Sequence, residues 1–225
     1  MLEAAAREAA PATLRFFSWE PPAVSLGRFQ TLEGIDTGYA RERGWDVVRR
    51  PTGGRGVVHH LELTYSIALP PSVLGGAGVR TSYHVLTGLL NTGLQSLIGE
   101  AARVSGPAGG CASRGQANCF ALASECDAVA GGGKLVGSAQ VRRGGALLQH
   151  GSILLDAEPD AWARIFGTAG GIVTLRELLG YLPSPNLVVA SIIAALEDQR
   201  IRLHPGELTA AEMTEAQAGA AGFQL

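Results

Sequence analysis

Three features of the sequence bring together residue types that do chemistry. Cys119 sits where a long segment rich in Gly, Ser, Ala and Pro gives way to regular structure. Lys134 opens a strand-like run that continues into Gly137-Ser138-Ala139-Gln140. Residues 49–66, RRPTGGRGVVHHLELTYS, place Arg49 and Arg50 ahead of Gly53, Gly54 and Gly56, with His59 and His60 following. A thiol is a nucleophile as its thiolate, and a neighbouring ammonium favours that form. Glycines let a backbone approach a ligand where a Cβ would collide, and exposed N–H groups in such a turn make an anion-binding concavity. Each feature also has an everyday reading. A free cysteine is most often a small buried hydrophobe, which is the reading kept for Cys111 and Cys126. A lysine beside a turn is most often solvated, and a glycine run is most often a loop between strands.

The elements that must position these residues follow from periodicity and punctuation. Residues 2–9 favour helix but make barely two turns before Pro11, like the tail of a longer helix. Residues 13–19 and 23–29 read as strands joined by Glu20-Pro21-Pro22, an expected hairpin. Residues 35–44 read as a helix stopped by Gly44, and 45–50 as a strand that enters the glycine stretch. Leu61, Leu63, Tyr65 and Ile67 alternate with Glu62, Thr64 and Ser66, a strand that Pro70-Pro71 ends. Tyr83, Leu86, Leu90, Leu94 and Leu97 give residues 82–98 a core-facing helical stripe, closed by Gly99. Residues 105–118 are expected to be a loop.

Beyond Cys126 the pattern is a meander: strands over 127–130, 134–142 and 146–155, punctuated by Gly131-Gly132-Gly133 and Gly144-Gly145. In the middle strand, alternation puts Lys134, Val136, Ser138, Gln140 and Arg142 on one face and Leu135, Gly137, Ala139 and Val141 on the other. The small residues 137–139 leave room above the sheet for a ligand. Helices are expected over 158–166, 174–179, 186–200 and 209–221, the last opening with a Thr-x-x-Glu capping box. With no repeat and no second core-sized unit, residues 1–225 read as a single α+β domain, a mixed and mainly antiparallel sheet with packed helices.

Fifteen positions separate Cys119 from Lys134. A plain hairpin turning at Gly131–Gly133 would leave them roughly 30 Å apart, so they meet only if the chain around Cys119 folds back over the sheet. The histidines lack zinc-site spacing, and adjacent His59 and His60 point to opposite faces of a strand, so no metal site is expected. His150 either faces the slot or hydrogen-bonds within the core. No Ser-His-Asp order or phosphate-loop pattern is present.

Composition excludes several classes. A hydrophobic content of 46% with 17% charged residues is that of a folded globule. The formal net charge of -2 carries no basic footprint for nucleic acid, although the arginine pair suits a single phosphate or adenylate. Three cysteines without regular spacing argue against a disulfide framework. No apolar run is long enough to span a bilayer, and the first residues lack the order of a signal peptide. The expectation is a cytoplasmic protein with no membrane partner.

Taken together, RRPTGGRGVVHHLELTYS, CFALASECD and GGGKLVGSAQVRRGGALLQHGSILL resemble the catalytic domain shared by lipoate–protein ligases, biotin–protein ligases and lipoyl/octanoyl transferases. The resemblance runs from about Thr13 to the final LTAAE, in the family's order. Within that family it is most similar to the cysteine-dependent octanoyltransferases of lipoate assembly. It implies that octanoate passes from acyl carrier protein to Cys119 as a thioester, and then to a lysine on a lipoyl domain such as that of the glycine-cleavage H protein. Lys134 takes the place of the lysine that lowers the thiol's pKa. Arg49, Arg50, Gly53, Gly54, Gly56 and His59, with Gly137, Ser138, Ala139, Gln140, His150 and Gly151, are expected to line the acyl slot. Backbone N–H groups there would serve as donors to the thioester oxyanion.

Two departures from the pattern stand out. His60 replaces an acidic residue common in relatives, and Met1 falls inside a helix that relatives carry in fuller form. No cofactor is implied. ATP and Mg²⁺ enter only under the alternative of an ATP-dependent lipoate ligase, whose chemistry needs no cysteine and whose members often carry a further C-terminal domain. A non-catalytic acyl- or carrier-binding relative is the third reading.

Overall fold

The structure is a computed structural model, and it describes residues 1–99, 117–121 and 127–225. Cys111, Cys126 and most of the loop expected over 105–118 lie outside the described residues. Helix α1 (Leu2–Ala6) leads into strand β1 (Thr13–Phe17), and β2 (Ala23–Leu26), helix α2 (Thr37–Glu42), β3 (Asp46–Arg49), β4 (Val57–His59) and β5 (Glu62–Leu69) follow. Helices α3 (Pro71–Leu74) and α4 (Val79–Ile98) precede the meander β6 (Ala128–Ala130), β7 (Gly133–Arg143) and β8 (Ala146–Leu154). Helices α5 (Pro159–Phe166), α6 (Leu175–Leu179), α7 (Pro185–Asp198) and α8 (Ala210–Gly219) and a closing 3₁₀ turn complete the chain.

Two sheets result. The larger has the order β1-β5-β8-β7-β6 with every neighbouring pair antiparallel; the smaller has the order β3-β2-β4, with β2 parallel to β3 and antiparallel to β4. The expected hairpin between the first two strands does not form. β1 pairs with β5, Thr13 opposite Ala68, while β2 crosses to the smaller sheet, Ala23 opposite Asp46. Pro21 and Pro22 remove two N–H donors from the connection, which cannot ladder the strands together. Burial agrees: all four β2 residues are buried between two neighbours, whereas β1 is a half-exposed edge.

Each sheet has its own core. Leu63, Tyr65, Ile67, Leu135, Val136 and Ile153 of the larger sheet pack against Leu86, Leu90 and Leu94 of α4 and Val188 and Ile192 of α7. The smaller sheet packs Val24, Leu26 and Val58 with Trp45 and with Trp162, Ile165 and Phe166 of α5. The polar residues Glu62, Thr64 and Ser66, which alternation alone would place in solvent, are buried. Both faces of β5 are covered, because the smaller sheet lies over Glu62 and the N-terminal segment of Met1 and α1 lies over Ser66.

Gly93 fixes the spacing of α4 and α7. A Cβ there would sit 2.6 Å from the Ile192 Cα, and its carbonyl accepts from Ser191 Oγ at 2.7 Å. Overpacking against backbone costs about 1–3 kcal/mol, so Gly93→Ala is expected to lower the unfolding free energy by that amount in urea titration. Gly88, exposed in the same helix with no atom near its would-be Cβ, is the control: Gly88→Ala is expected to stabilise by roughly 0.4–1 kcal/mol.

Candidate active site

The glycine stretch has few side chains of its own to pack, so it is held by hydrogen bonds from its surroundings. Arg50 Nη2 donates to the carbonyls of Gly53 at 3.0 Å and Arg55 at 2.6 Å, and Arg50 Nη1 donates to the Ser25 carbonyl at 3.0 Å and Ser25 Oγ at 3.1 Å. Arg49 Nη1 donates to Gly27 at 2.9 Å and Gln30 at 2.7 Å. Both arginines, expected to line the acyl slot, spend these donors within the protein, on carbonyls and on Ser25 Oγ. Burial pushes the Arg50 guanidinium below its ordinary pKa, with the neighbouring Cys119 and Tyr83 acting against that shift.

Close approach explains the glycines. A Cβ on Gly27 would lie 2.0 Å from the Gly54 carbonyl oxygen, and one on Gly56 would lie 2.2 Å from the Phe166 ring. Gly54 has φ +91, a backbone conformation that glycine adopts without strain. Gly53 alone of the three glycines in the stretch faces open space.

The stretch carries Cys119 beside it. Gly56 N donates to the Ala117 carbonyl and Cys119 N to the Gly56 carbonyl, each at 2.9 Å, a short parallel bridge centred on Asn118. Buried Asn118 ties the same turn down, donating to the Thr168 carbonyl at 3.0 Å and accepting from Phe120 N at 2.7 Å. The chain around Cys119 thus does fold back over the sheet.

Lys134 meets it there. Lys134 Nζ lies 3.6 Å from Cys119 Sγ and donates to the Cys119 carbonyl at 2.8 Å. Its third donor reaches Asp127 Oδ2 at 2.8 Å, and both members of this ion pair are buried. An ammonium has three N–H donors, and all three are used. The Phe120 ring lies 5.1 Å from Nζ and is held edge-on by Trp162. Asp127 was not singled out from the sequence. The signal was there: a lysine in a strand with small neighbours needs a counter-charge, and the adjoining strand begins with this acid.

The remaining expected residues divide between the two faces of β7. The register slips so that Ala128 pairs with Val136 and Val129 with Lys134, one extra residue on β7. That bulge reverses the parity of the strand. Lys134 therefore shares a face with Gly137, whose would-be Cβ lies 3.2 Å from Lys134 Cε and from the Phe120 ring, rather than with Ser138 and Gln140. Ser138 Oγ bonds to Tyr65 Oη at 2.7 Å, and Gln140 Nε2 donates to Gln149 Oε1 at 2.7 Å, on the face that packs against the helices. Gly151, opposite Ser138 and Tyr65, is on that face too and is a glycine because a Cβ would strike the Gly137 carbonyl oxygen at 2.5 Å.

Ala139 and His150 pair across β7 and β8 on the other face, and His150 Nε2 contacts Thr52 Oγ1 of the glycine stretch at 2.6 Å. His59 is turned inward: Nε2 meets Ser25 Oγ at 2.7 Å and Nδ1 meets Glu62 Oε1 at 3.3 Å. His60 lies 3.1 Å from Glu158 and against Trp45. Two surface depressions, of about 520 Å³ along residues 197–204 and about 200 Å³ beside Trp19 and Pro185, lie away from the thiol. Among the described residues, no group of three or more His, Cys, Asp or Glu is placed to hold a metal ion, and no helix is long and apolar enough to cross a membrane.

Residues 1–197 match the model of the lipoyl protein ligase A/B catalytic domain. The chain belongs to that family. Among its relatives, the "Octanoyltransferase LipM" of Symbiobacterium thermophilum is 39% identical over 92% of this chain and 82% of the relative's own length. That of Moorella thermoacetica is 38% identical over 93% and 81%. Among solved structures, a putative lipoate protein ligase from Thermoplasma acidophilum with bound lipoic acid superposes with a TM-score of 0.79 at 20% identity, covering 98% of this chain and 88% of that one. Lipoate-protein ligase A bound with ATP superposes at 0.76 and 21%, over 97% and 86%. At these identities the two structures establish the fold, which is the α+β ligase architecture read from the sequence.

In this member of the lipoyl protein ligase A/B family, the ion pair under the thiol differs sharply from those on the surface. Removing one partner of a buried pair costs about 3–5 kcal/mol, whereas an exposed pair is worth under about 1 kcal/mol. Asp127→Ala is therefore expected to lower the unfolding free energy several-fold more than Glu3→Ala, which breaks the exposed contact to Arg143; urea titrations compare them. The milder Asp127→Asn is expected to slow alkylation of Cys119 by iodoacetamide at neutral pH.

His150 gives a pH signature. Burial first, then the charges of Arg50 and His59, lower its pKa to about 3. The unfolded chain binds a proton at this residue near its ordinary pKa of 6.5 while the folded chain does not, so stability from this group is present above that pH and is lost as pH falls toward 3. His150→Gln is expected to lose less melting temperature than the parent between pH 7 and 5, measured by calorimetry.

Proposed function

We propose that this chain is an octanoyltransferase of protein lipoylation, working through a thioester on Cys119. The observation that carries the reading is the 3.6 Å approach of the Lys134 ammonium to Cys119 Sγ. An opposite charge at that range in a buried site stabilises a thiolate, and Asp127 pairs with the lysine at 2.8 Å. A ligase that passes acyl groups through an adenylate makes no demand for this arrangement. The relatives named octanoyltransferases support the same chemistry.

In the first half-reaction the Cys119 thiolate attacks the carbonyl of an octanoyl thioester. The bond to the donor sulfur breaks, and the donor leaves as a thiol after taking a proton. In the second, the neutral amine of an acceptor lysine attacks the Cys119 thioester, the amide forms, and the departing sulfur recovers the amine's proton. Octanoyl-acyl carrier protein is the proposed donor, and a lipoyl-domain protein, such as the glycine-cleavage H protein, the proposed acceptor. The open side of Gly53 and the Gly137–Ala139 face of β7 are the proposed walls of the acyl slot. No cofactor is required by either step.

The reading is tested by intact-mass analysis after exposure to octanoyl-acyl carrier protein. One octanoyl adduct is expected, removed by neutral hydroxylamine and absent in Cys119→Ala. An adduct or acceptor product that forms only with ATP and free octanoate would instead make the chain a ligase.

A further inference from the structure

The octanoyltransferase reading gives no task to the most elaborate polar cluster in the molecule. It is a line of groups that starts at buried Glu62, passes through His59 and Ser25 to Arg50, and ends at the backbone of Cys119. Ser25, His59 and Glu62 are buried on β2, β4 and β5. Burying a carboxylate, an imidazole and a hydroxyl in place of apolar residues costs free energy unless all are paired, and here they are. Glu62 Oε1 accepts from Thr64 Oγ1 at 2.6 Å, Glu62 Oε2 accepts from Ser152 Oγ, and Thr64 Oγ1 in turn accepts from Trp19 Nε1 at 2.9 Å. Trp19 also stacks on the His59 ring, with centroids 4.3 Å apart and planes 21° off parallel, which fixes the ring's orientation.

Donor bookkeeping gives the line a direction. Ser25 Oγ accepts from Arg50 Nη1, so its one proton is free to go to His59 Nε2, leaving the His59 Nδ1 proton for Glu62. The imidazole lies between a guanidinium at one end and a carboxylate at the other. Beyond Arg50 the line continues through backbone. Arg50 Nη2 grips Gly53 and Arg55, and Gly56 exchanges hydrogen bonds with Ala117 and Cys119. Glycines have no side chains to hold this register, and the Arg50 guanidinium supplies the grip on the carbonyls of Gly53 and Arg55.

We propose that His59, braced by Glu62, is a positioning residue for Cys119, acting through Ser25 and Arg50 on the glycine stretch from which Cys119 hangs. Its effect is to keep the thiol against the Lys134 ammonium. The proposal rests on the thioester reading for its purpose, and its geometry stands independently of which acyl donor is used.

The test is the rate of Cys119 alkylation by iodoacetamide at pH 7 in the full chain, read by mass beside the melting temperature. It needs no acyl donor. Ser25→Ala cuts the line at its middle while leaving the Ser25 carbonyl to Arg50, and His59→Phe keeps the stack on Trp19 but removes both ring nitrogens. Both are expected to slow alkylation about fivefold or more. His59→Gln, whose amide reaches the position of Nε2, is expected to recover most of the parent rate. Alkylation within twofold of the parent in Ser25→Ala and in folded His59→Phe, with only the melting temperature lowered, overturns the proposal. If either variant does not fold, the other decides. A parent chain that alkylates readily but accepts no octanoyl group from acyl carrier protein would sink the octanoyltransferase reading and leave this one standing.

Discussion

The ammonium of Lys134 is the constraint on which the rest of the site depends. It is buried, so its three donors must all be satisfied, and they are satisfied by Asp127, by the Cys119 carbonyl and by the Cys119 sulfur. Desolvating a charge of this kind is costly unless a partner and good geometry compensate. The structure supplies both by bringing three separate segments together. Asp127 immediately precedes β6, Lys134 comes from a bulged β7, and Cys119 from a turn laced to the glycine stretch. Without Asp127, the ammonium of Lys134 would be a buried charge with one donor unsatisfied.

The second dependence is the covering of the polar side of the larger sheet. Glu62, Thr64, Ser152 and His150 would face solvent in a one-layer arrangement, and here they face the smaller sheet. This polar layer acts as the mount for a glycine stretch that cannot hold its own shape. Arg49 and Arg50 belong to the mount. Arg50 is aimed into the loop, at the carbonyls of Gly53 and Arg55, while Arg49 holds the carbonyls of Gly27 and Gln30 in the neighbouring segment.

Much of this was legible in the sequence. Alternation in residues 61–67, the strand read over 146–155 and the helical stripe of Leu86, Leu90 and Leu94 mark real elements, as does the capping box at Thr209. Three things were not legible, each for a physical reason. Strands adjacent in sequence need not pair, and Pro21-Pro22 sent β2 to a different sheet. One inserted residue in β7 leaves no trace in composition, yet it flips which side chains accompany Lys134, moving Ser138 and Gln140 to the helix-facing side. And a strand such as residues 62–66, polar on one side, looks the same whether that side meets water or a second sheet, so the Ser25–His59–Glu62 line was hidden. The meeting of Cys119 with Lys134 lay beyond spacing altogether, since a plain hairpin would have kept them far apart.

The central claim is that the acyl group passes through Cys119 and is not handed directly from donor to acceptor. A single-turnover chase tests it most directly. The chain is octanoylated, freed of donor, and mixed with an unmodified lipoyl-domain protein, while the mass of both proteins is followed in time. Loss of the octanoyl group from Cys119 matched by its gain on the acceptor lysine, at a rate no slower than steady-state turnover, is the predicted result. An adduct that stays on Cys119 while the acceptor is modified only when fresh donor is added would contradict it.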